Sequence, residues 1–226
     1  MTTAVATLLF TTGVAAQDSA TEMKTGKMDG FYAGLGGGGS FNGVSLTKGD
    51  YVEDGTNTYD ITNLGDTDIG YLLYAGYQFN QIIGVEASFT DYGSFSDNLK
   101  IKNTNIETTF KSSPMGGAVY ANAGYTFNNG WRPFGQLGLG YIQSDPSSTL
   151  KALNNFSDTD FMTVHYGVGV EYAPAAFKGF GLRLAYSGDM NMDANAVAED
   201  ENGNIDKSAL LMRFYGLLYV GAQYKF

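Results

Sequence analysis

The sequence predicts an all-β fold: an eight-stranded antiparallel up-and-down transmembrane β-barrel with short turns at one end and long loops at the other. Three observations carry this reading. Eight runs alternate apolar and polar residues with period two, as strands do when one face meets an apolar medium and the other a polar one. The connections between runs are short and long in turn. The few charges within the runs fall on one phase, Asp91 at the end of the third run apart, which leaves the other phase largely apolar.

The first run, Phe31 to Phe41, is rich in glycine. The second, Ile69 to Phe79, places Tyr71, Leu73, Ala75, Tyr77 and Phe79 on one phase. The third, Ile82 to Tyr92, shares Ile83, Val85, Ala87 and Phe89. The fourth, Met115 to Phe127, carries Val119, Ala121, Ala123, Tyr125 and Phe127, and Asn128-Asn129-Gly130 then signals a hairpin. The fifth runs from Trp131 to Ile142, the sixth from Phe161 to Ala173, and the seventh, past Pro174, from Phe180 to Ser187. The last, Leu210 to Phe226, sets Leu218, Val220, Ala222, Tyr224 and Phe226 on one face and Arg213, Tyr219, Gly221, Gln223 and Lys225 on the other.

Composition narrows the setting. The 226 residues make room for one sizeable domain, and 31 Gly, 14% aromatics and only 4 Pro fit neither a disordered nor a collagen-like chain. A net charge of −10 argues against a nucleic-acid partner, and the absence of Cys removes disulfides and thiolate metal sites. No run reaches the ~18 apolar residues of a spanning helix. Ala4 to Val14 has the length of a signal-peptide core, and Val14-Ala15-Ala16 offers a small-residue cleavage site. The organisation expected is a signal peptide over 1–16, a polar periplasmic N-terminal segment over 17–30 and a barrel over 31–226.

The short connections, 80–81, 128–130 and 174–179, fall after the second, fourth and sixth runs, and the long ones, 42–68, 93–114, 143–160 and 188–209, fall between them. Membrane barrels have this asymmetry and an even strand number. A soluble eight-stranded barrel, such as a lipocalin-like carrier, would put its charges outside, which suits strands so poor in charge badly. Aromatics gather beside the short turns: Phe31, Tyr77, Phe79, Tyr125, Phe127, Trp131, Tyr172, Phe180, Tyr224 and Phe226. That is the placement expected of a periplasmic aromatic girdle at the membrane interface.

The inward phase holds Glu86, Arg132, Glu171, Arg183, Arg213 and Lys225. A turn centred near Phe177 sets Glu171 opposite Arg183, and a narrow interior demands that such charges be paired. A lumen network of Glu86, Glu171, Arg183, Arg132 and Arg213 is therefore expected, read as a packed polar plug in preference to a gate or proton path. Gly34-Leu35-Gly36-Gly37-Gly38-Gly39 matches a dinucleotide fingerprint in letters, yet no helix follows it, so close approach at barrel closure is the better reading. Asp50, Glu53, Asp54, Asp60, Asp66 and Asp68 surround the first long loop, and Asp189, Asp193, Glu199, Asp200, Glu201 and Asp206 crowd the last. Their spacing does not make a calcium loop, and a solvated acidic surface is expected.

The order of Gly84-Val85-Glu86-Ala87, Arg132-Pro133-Phe134, Gly138-Leu139-Gly140, Gly167-Val168-Gly169-Val170-Glu171-Tyr172 and the final Tyr224-Lys225-Phe226 resembles the small bacterial outer-membrane β-barrels, the OmpA-type transmembrane domain and the opacity-type, porin-like surface proteins. The resemblance covers about Gly30 to Phe226. It implies a bacterial outer-membrane location, contact with outer-membrane lipid and lipopolysaccharide, and an insertion signal at Tyr224 and Phe226 read by the barrel-insertion machinery. Among outer-membrane enzymes of this size, the lipid A deacylases set a Ser two residues after a His on an outward face. Here that position is Gly167 and the only histidine, His165, faces inward, so no Ser-His-acid constellation is expected. The reading that results is a structural or surface-interaction protein with no catalytic residue, cofactor or metal, whose loops are open to an extracellular ligand. A narrow porin or carrier of small apolar solutes is the alternative, and a lipid-modifying enzyme the third.

Overall fold

The computed structural model describes residues 29–46, 51–54, 57–60, 65–101, 107–146, 160–199 and 205–226. The expected signal peptide and almost all of the 17–30 segment lie outside these residues. Eleven strands are described: β1 (Gly30–Leu46), β2 (Tyr51–Asp54), β3 (Asn57–Asp60), β4 (Thr67–Gln78), β5 (Ile83–Asp91), β6 (Phe95–Ile101), β7 (Glu107–Gly124), β8 (Trp131–Pro146), β9 (Asp160–Tyr172), β10 (Phe180–Glu199) and β11 (Ile205–Lys225). Strands β1, β4, β5, β7, β8, β9, β10 and β11 pair in that order, each antiparallel to the next. The cylinder closes where β11 meets β1, from Tyr32 opposite Lys225 to Leu46 opposite Leu211. No helix among the described residues is long and apolar enough to cross a membrane.

The two faces of the wall are inverted relative to a soluble barrel. Leu35, Leu73, Leu139 and Val220 are each about 60% exposed on the outside, while Glu86, His165 and Arg183 are 1% exposed inside. An apolar phase left bare on a closed barrel is stable only where the surroundings are themselves apolar. The soluble-carrier alternative fails on this point.

Local chemistry sets the short turns. Asn80 Oδ1 accepts hydrogen bonds from the Ile82 and Ile83 amides at 2.8 and 3.0 Å. Gly130 adopts φ +88°, where a side chain would be strained, and its amide donates to the Phe127 carbonyl. On the inner face of β1, the glycines leave space for rings from neighbouring strands: a Cβ on Gly36 would lie 2.6 Å from the Tyr219 ring, and one on Gly34 would overlap Tyr74. The glycine run is a closure seam where backbone and aromatic ring approach closely.

The long connections depart from expectation, because much of their length is strand. β10 and β11 extend past the expected 188–209 loop boundaries as one hairpin, with register shifts between Asp193 and Ala198. β6 folds back on β7, and the β2–β3 hairpin joins β10 to β6, giving a bridge in the order β7-β6-β3-β2-β10. The physical reason is that backbone groups beyond the lipid still need partners. Side-chain alternation, which marks only strands dividing an apolar from a polar medium, gives no sign of these. At the rim, two carboxylates do what a ladder would: Asp68 Oδ2 accepts the Ser94 amide at 2.6 Å, and Asp66 Oδ2 the Ser96 amide at 2.8 Å.

Candidate functional site in the barrel lumen

The turn through the 3-10 segment Ala175–Phe177 sets Arg183 of β10 opposite Glu171 of β9. Both side chains point inward, and Arg183 Nη2 lies 2.6 Å from Glu171 Oε1. The same guanidinium reaches Glu86 of β5 with two parallel bonds, Nη1 to Oε1 at 2.9 Å and Nη2 to Oε2 at 2.8 Å. This is the fork-on-carboxylate geometry that makes an Arg pair strong and directional.

Around this pair, every barrel strand contributes. Glu86 accepts from Tyr32 of β1 at 2.7 Å, Tyr120 of β7 at 2.5 Å and Gln136 of β8 at 3.0 Å. The Arg183 guanidinium carbon sits 4.0 Å from the ring centroid of Tyr74 on β4, whose hydroxyl donates to Gln223 of β11. Arg132 of β8 pairs more loosely, its Nη1 3.4 Å from Glu171 Oε2. Such saturation is what buried charges require, since an unpaired one would carry a penalty of several kcal/mol.

The structure does not bring Arg213 into this network, which corrects the expectation. It lies on the inward phase of β11, but its cross-strand neighbours are Val44 and Asn191, whereas Arg183 neighbours Gly221. The separation along the strand is roughly 26 Å at strand rise. Inward phase alone does not say at what depth a side chain stands.

A second polar cluster stands further from the short turns. His165 of β9 is opposite Asp189 of β10, with Nδ1 3.3 Å from Asp189 Oδ2. Asp189 also accepts from Tyr92 at 2.6 Å and Thr163 at 2.7 Å. The sequence groups Asp189 with the exposed loop acids; it is instead a 4% exposed lumen residue. The reason is the extra length of β10, which keeps this position inside the wall. The Tyr120 ring stacks on His165 at 4.3 Å while its hydroxyl holds Glu86, so one side chain touches both clusters. His165 Nε2 has no hydrogen-bond partner among the described residues. Beyond these clusters, toward the loops, Tyr92, Phe95, Ile142 and Leu217 are buried together, with Phe161 and Tyr215 packed against them.

No group of three or more His, Asp or Glu suited to a metal ion occurs among the described residues. Of the other loop acids, Asp66 and Asp68 are occupied by backbone amides, and the remainder lie outside the residues whose side chains are described. The two amide bonds to Asp68, from Ser94 and Ile69, hold its carboxyl below the usual range.

Outside the barrel, the expected girdle residues stand beside the short turns in close ring contacts. Phe31 meets Tyr77 at 4.7 Å and Tyr77 meets Phe79 at 5.3 Å; Tyr125 meets Phe127 at 5.0 Å. Trp131 meets Tyr172 at 4.7 Å, Phe180 meets Tyr224 at 4.9 Å, and Tyr224 meets Phe226 at 5.2 Å.

Sequence reasoning missed Tyr32, Tyr74, Tyr120, Gln136 and Asp189 as members of the lumen site. The signal for Asp189 was present: the fold-back that pairs 171 with 183 also pairs 165 with 189. The tyrosines share the inward phase with the charges, but which of them meet follows from register around the whole ring.

Comparison with known proteins agrees with this architecture. The outer membrane protein OprG of Pseudomonas aeruginosa is similar in structure with a TM-score of 0.54 at 16% identity, over 91% of this chain and 100% of that one. The attachment invasion locus protein Ail of Yersinia pestis, solved with the heparin analogue sucrose octasulfate, gives 0.40 at 18% identity, over 87% and 99%. Neisserial surface protein A gives 0.44 at 15% identity, over 89% and 100%. No curated protein matches the sequence. The family model described as outer membrane protein beta-barrel domain matches residues 3–226. The chain belongs to this outer-membrane β-barrel family and is a protein of the bacterial outer membrane.

Proposed function

We propose that this protein is an integral outer-membrane barrel with a structural and surface-interaction role, whose lumen is plugged by its own side chains. The observation that supports it most is Arg183, 1% exposed and bonded at once to Glu86 and Glu171 in a network fed by every barrel strand. A conducting or carrying lumen would have to break these bonds and leave buried charge unpaired. The loop-side strands, joined through β2, β3 and β6, form a built platform for extracellular contacts, including lipopolysaccharide. On this reading, His165 is a structural lumen histidine and no catalytic role is assigned. Tyr224 and Phe226 would serve the barrel-insertion machinery; Tyr224→Ala/Phe226→Ala should slow assembly in cells while leaving refolding into detergent intact. Liposome swelling tests the plug. Vesicles carrying folded protein should swell in a small neutral sugar no faster than protein-free vesicles, and rapid swelling would favour the narrow-pore reading.

A further inference from the structure

At the short-turn mouth the lumen widens into a cavity of about 250 Å³, lined by Gln78, Arg132, Glu171, Lys178, Gln223 and Lys225 among others. Three of these are cations, against Glu171 and the terminal carboxylate of Phe226, which also lines the cavity. Glu171 is already committed, bonding Arg183 at 2.6 Å. Arg132 is 4% exposed; among the described residues its two hydrogen bonds are long, 3.4 Å to Glu171 and 3.5 Å to the Asn122 carbonyl, and its buried Nε has no partner. Lys225 donates to the neutral Gln78 side chain, and its ammonium lies 6.0 Å from the Tyr32 ring centroid. Among the described residues no carboxylate forms an ion pair with Lys225 or Lys178; Glu171 and Asp29 act on Lys225 only from a distance.

A partly enclosed space with excess cationic donors and a buried guanidinium donor left unmet is the chemistry of an anion site. We infer that this vestibule binds a small oxyanion, a carboxylate or a phosphate, entering from the periplasm. Arg132 and Lys225 would hold the charge at the inner end and Lys178 would stand at the rim. Gln223 supplies a neutral amide on the same wall, Gln78 being engaged by Asn80, Thr126 and Lys225, and the volume accommodates a small organic acid or a phosphate with its water. The site faces the compartment opposite the loop platform, so it stands or falls independently of whether the lumen conducts.

The test is an amide NMR titration of refolded protein in maltoside micelles, which carry no anionic or phosphate group, with inorganic phosphate and with acetate. Saturable shifts confined to Gly130, Lys178, Gly179 and Lys225 are expected with at least one of the two, and their relative affinities identify the preferred headgroup. Lys225→Gln should weaken that binding about tenfold, as loss of a charge-assisted bond does. Arg132→Gln is a second variant, used if a heat-modifiability gel shows it folded. Shifts that stay linear with both anions would overturn the proposal, as would saturable binding that Lys225→Gln and Lys178→Gln both leave unchanged.

Discussion

Arg183 and Glu86 stand on strands that do not touch, yet their side chains meet across the barrel through two bonds of 2.9 and 2.8 Å. Arg183→Met would leave Glu86 buried without its cation and Glu171 with only the looser Arg132 partner, which costs about 3–5 kcal/mol. Urea unfolding in lipid vesicles should register that loss. Adding Glu86→Gln to Arg183→Met should recover part of it, since the stranded carboxylate is then gone; a double variant no more stable than Arg183→Met would show that the loss does not come from stranded charge.

The inner glycines are a packing requirement with a built-in control. A Cβ on Gly138 would collide with the Val119 carbonyl and lie 2.5 Å from the Tyr120 Cα, both backbone atoms that cannot rotate away. Gly138→Ala should therefore destabilise by about 1–3 kcal/mol. Gly39 faces outward, and a Cβ placed there would have nothing within 4 Å, so Gly39→Ala should change stability by less than about 0.5 kcal/mol. Equal effects in the same unfolding assay would show that close backbone approach on the inner face does not set the glycine pattern.

Trp131 is the chain's one tryptophan and is 45% exposed beside Tyr172 in the ring at the short turns. Its fluorescence reports the depth of that ring without labelling. Quenching by lipids brominated at different acyl positions should be strongest near the headgroups, where amphipathic rings settle. Strongest quenching at the bilayer centre would move the membrane boundary away from the girdle.

At the opposite rim, Asp68 accepts the Ser94 and Ile69 amides, and its folded-state carboxyl is held below the ordinary value. A depressed carboxyl contributes stability that is present above its unfolded value and is lost as pH falls through the folded one. Hydrogen-exchange protection at Ser94 should persist through the neutral range and fade only below the ordinary carboxylate region, ~4. Asp68→Ala should lower that protection throughout the range in which the carboxylate is charged. Loss of protection already near neutrality would assign the docking of β6 to some other group.

The barrel was legible because the membrane writes a period of two into every strand that divides lipid from lumen, and the turns at Asn80, Gly130 and Lys178 punctuate it. The Glu171–Arg183 contact was legible for a related reason: a short turn fixes register between neighbouring strands. Contacts across the lumen were harder. Glu86 meets Arg183 only through the tilt and stagger of the whole cylinder, and Arg213 shares the inward phase but lies far along β11. Strands β2, β3 and β6 left no alternation because they divide no apolar from polar medium, and Asp189 looked like a loop acid for want of knowing that β10 continues.

The most direct test of the plugged lumen is single-channel conductance of purified, refolded wild-type protein in a planar bilayer, with a heat-modifiability gel to establish folding. A plugged barrel should leave the bilayer silent, with discrete steps emerging only when Glu86→Ala and Arg183→Ala are combined. Reproducible discrete steps from the folded wild type would contradict the plug and make this barrel a channel.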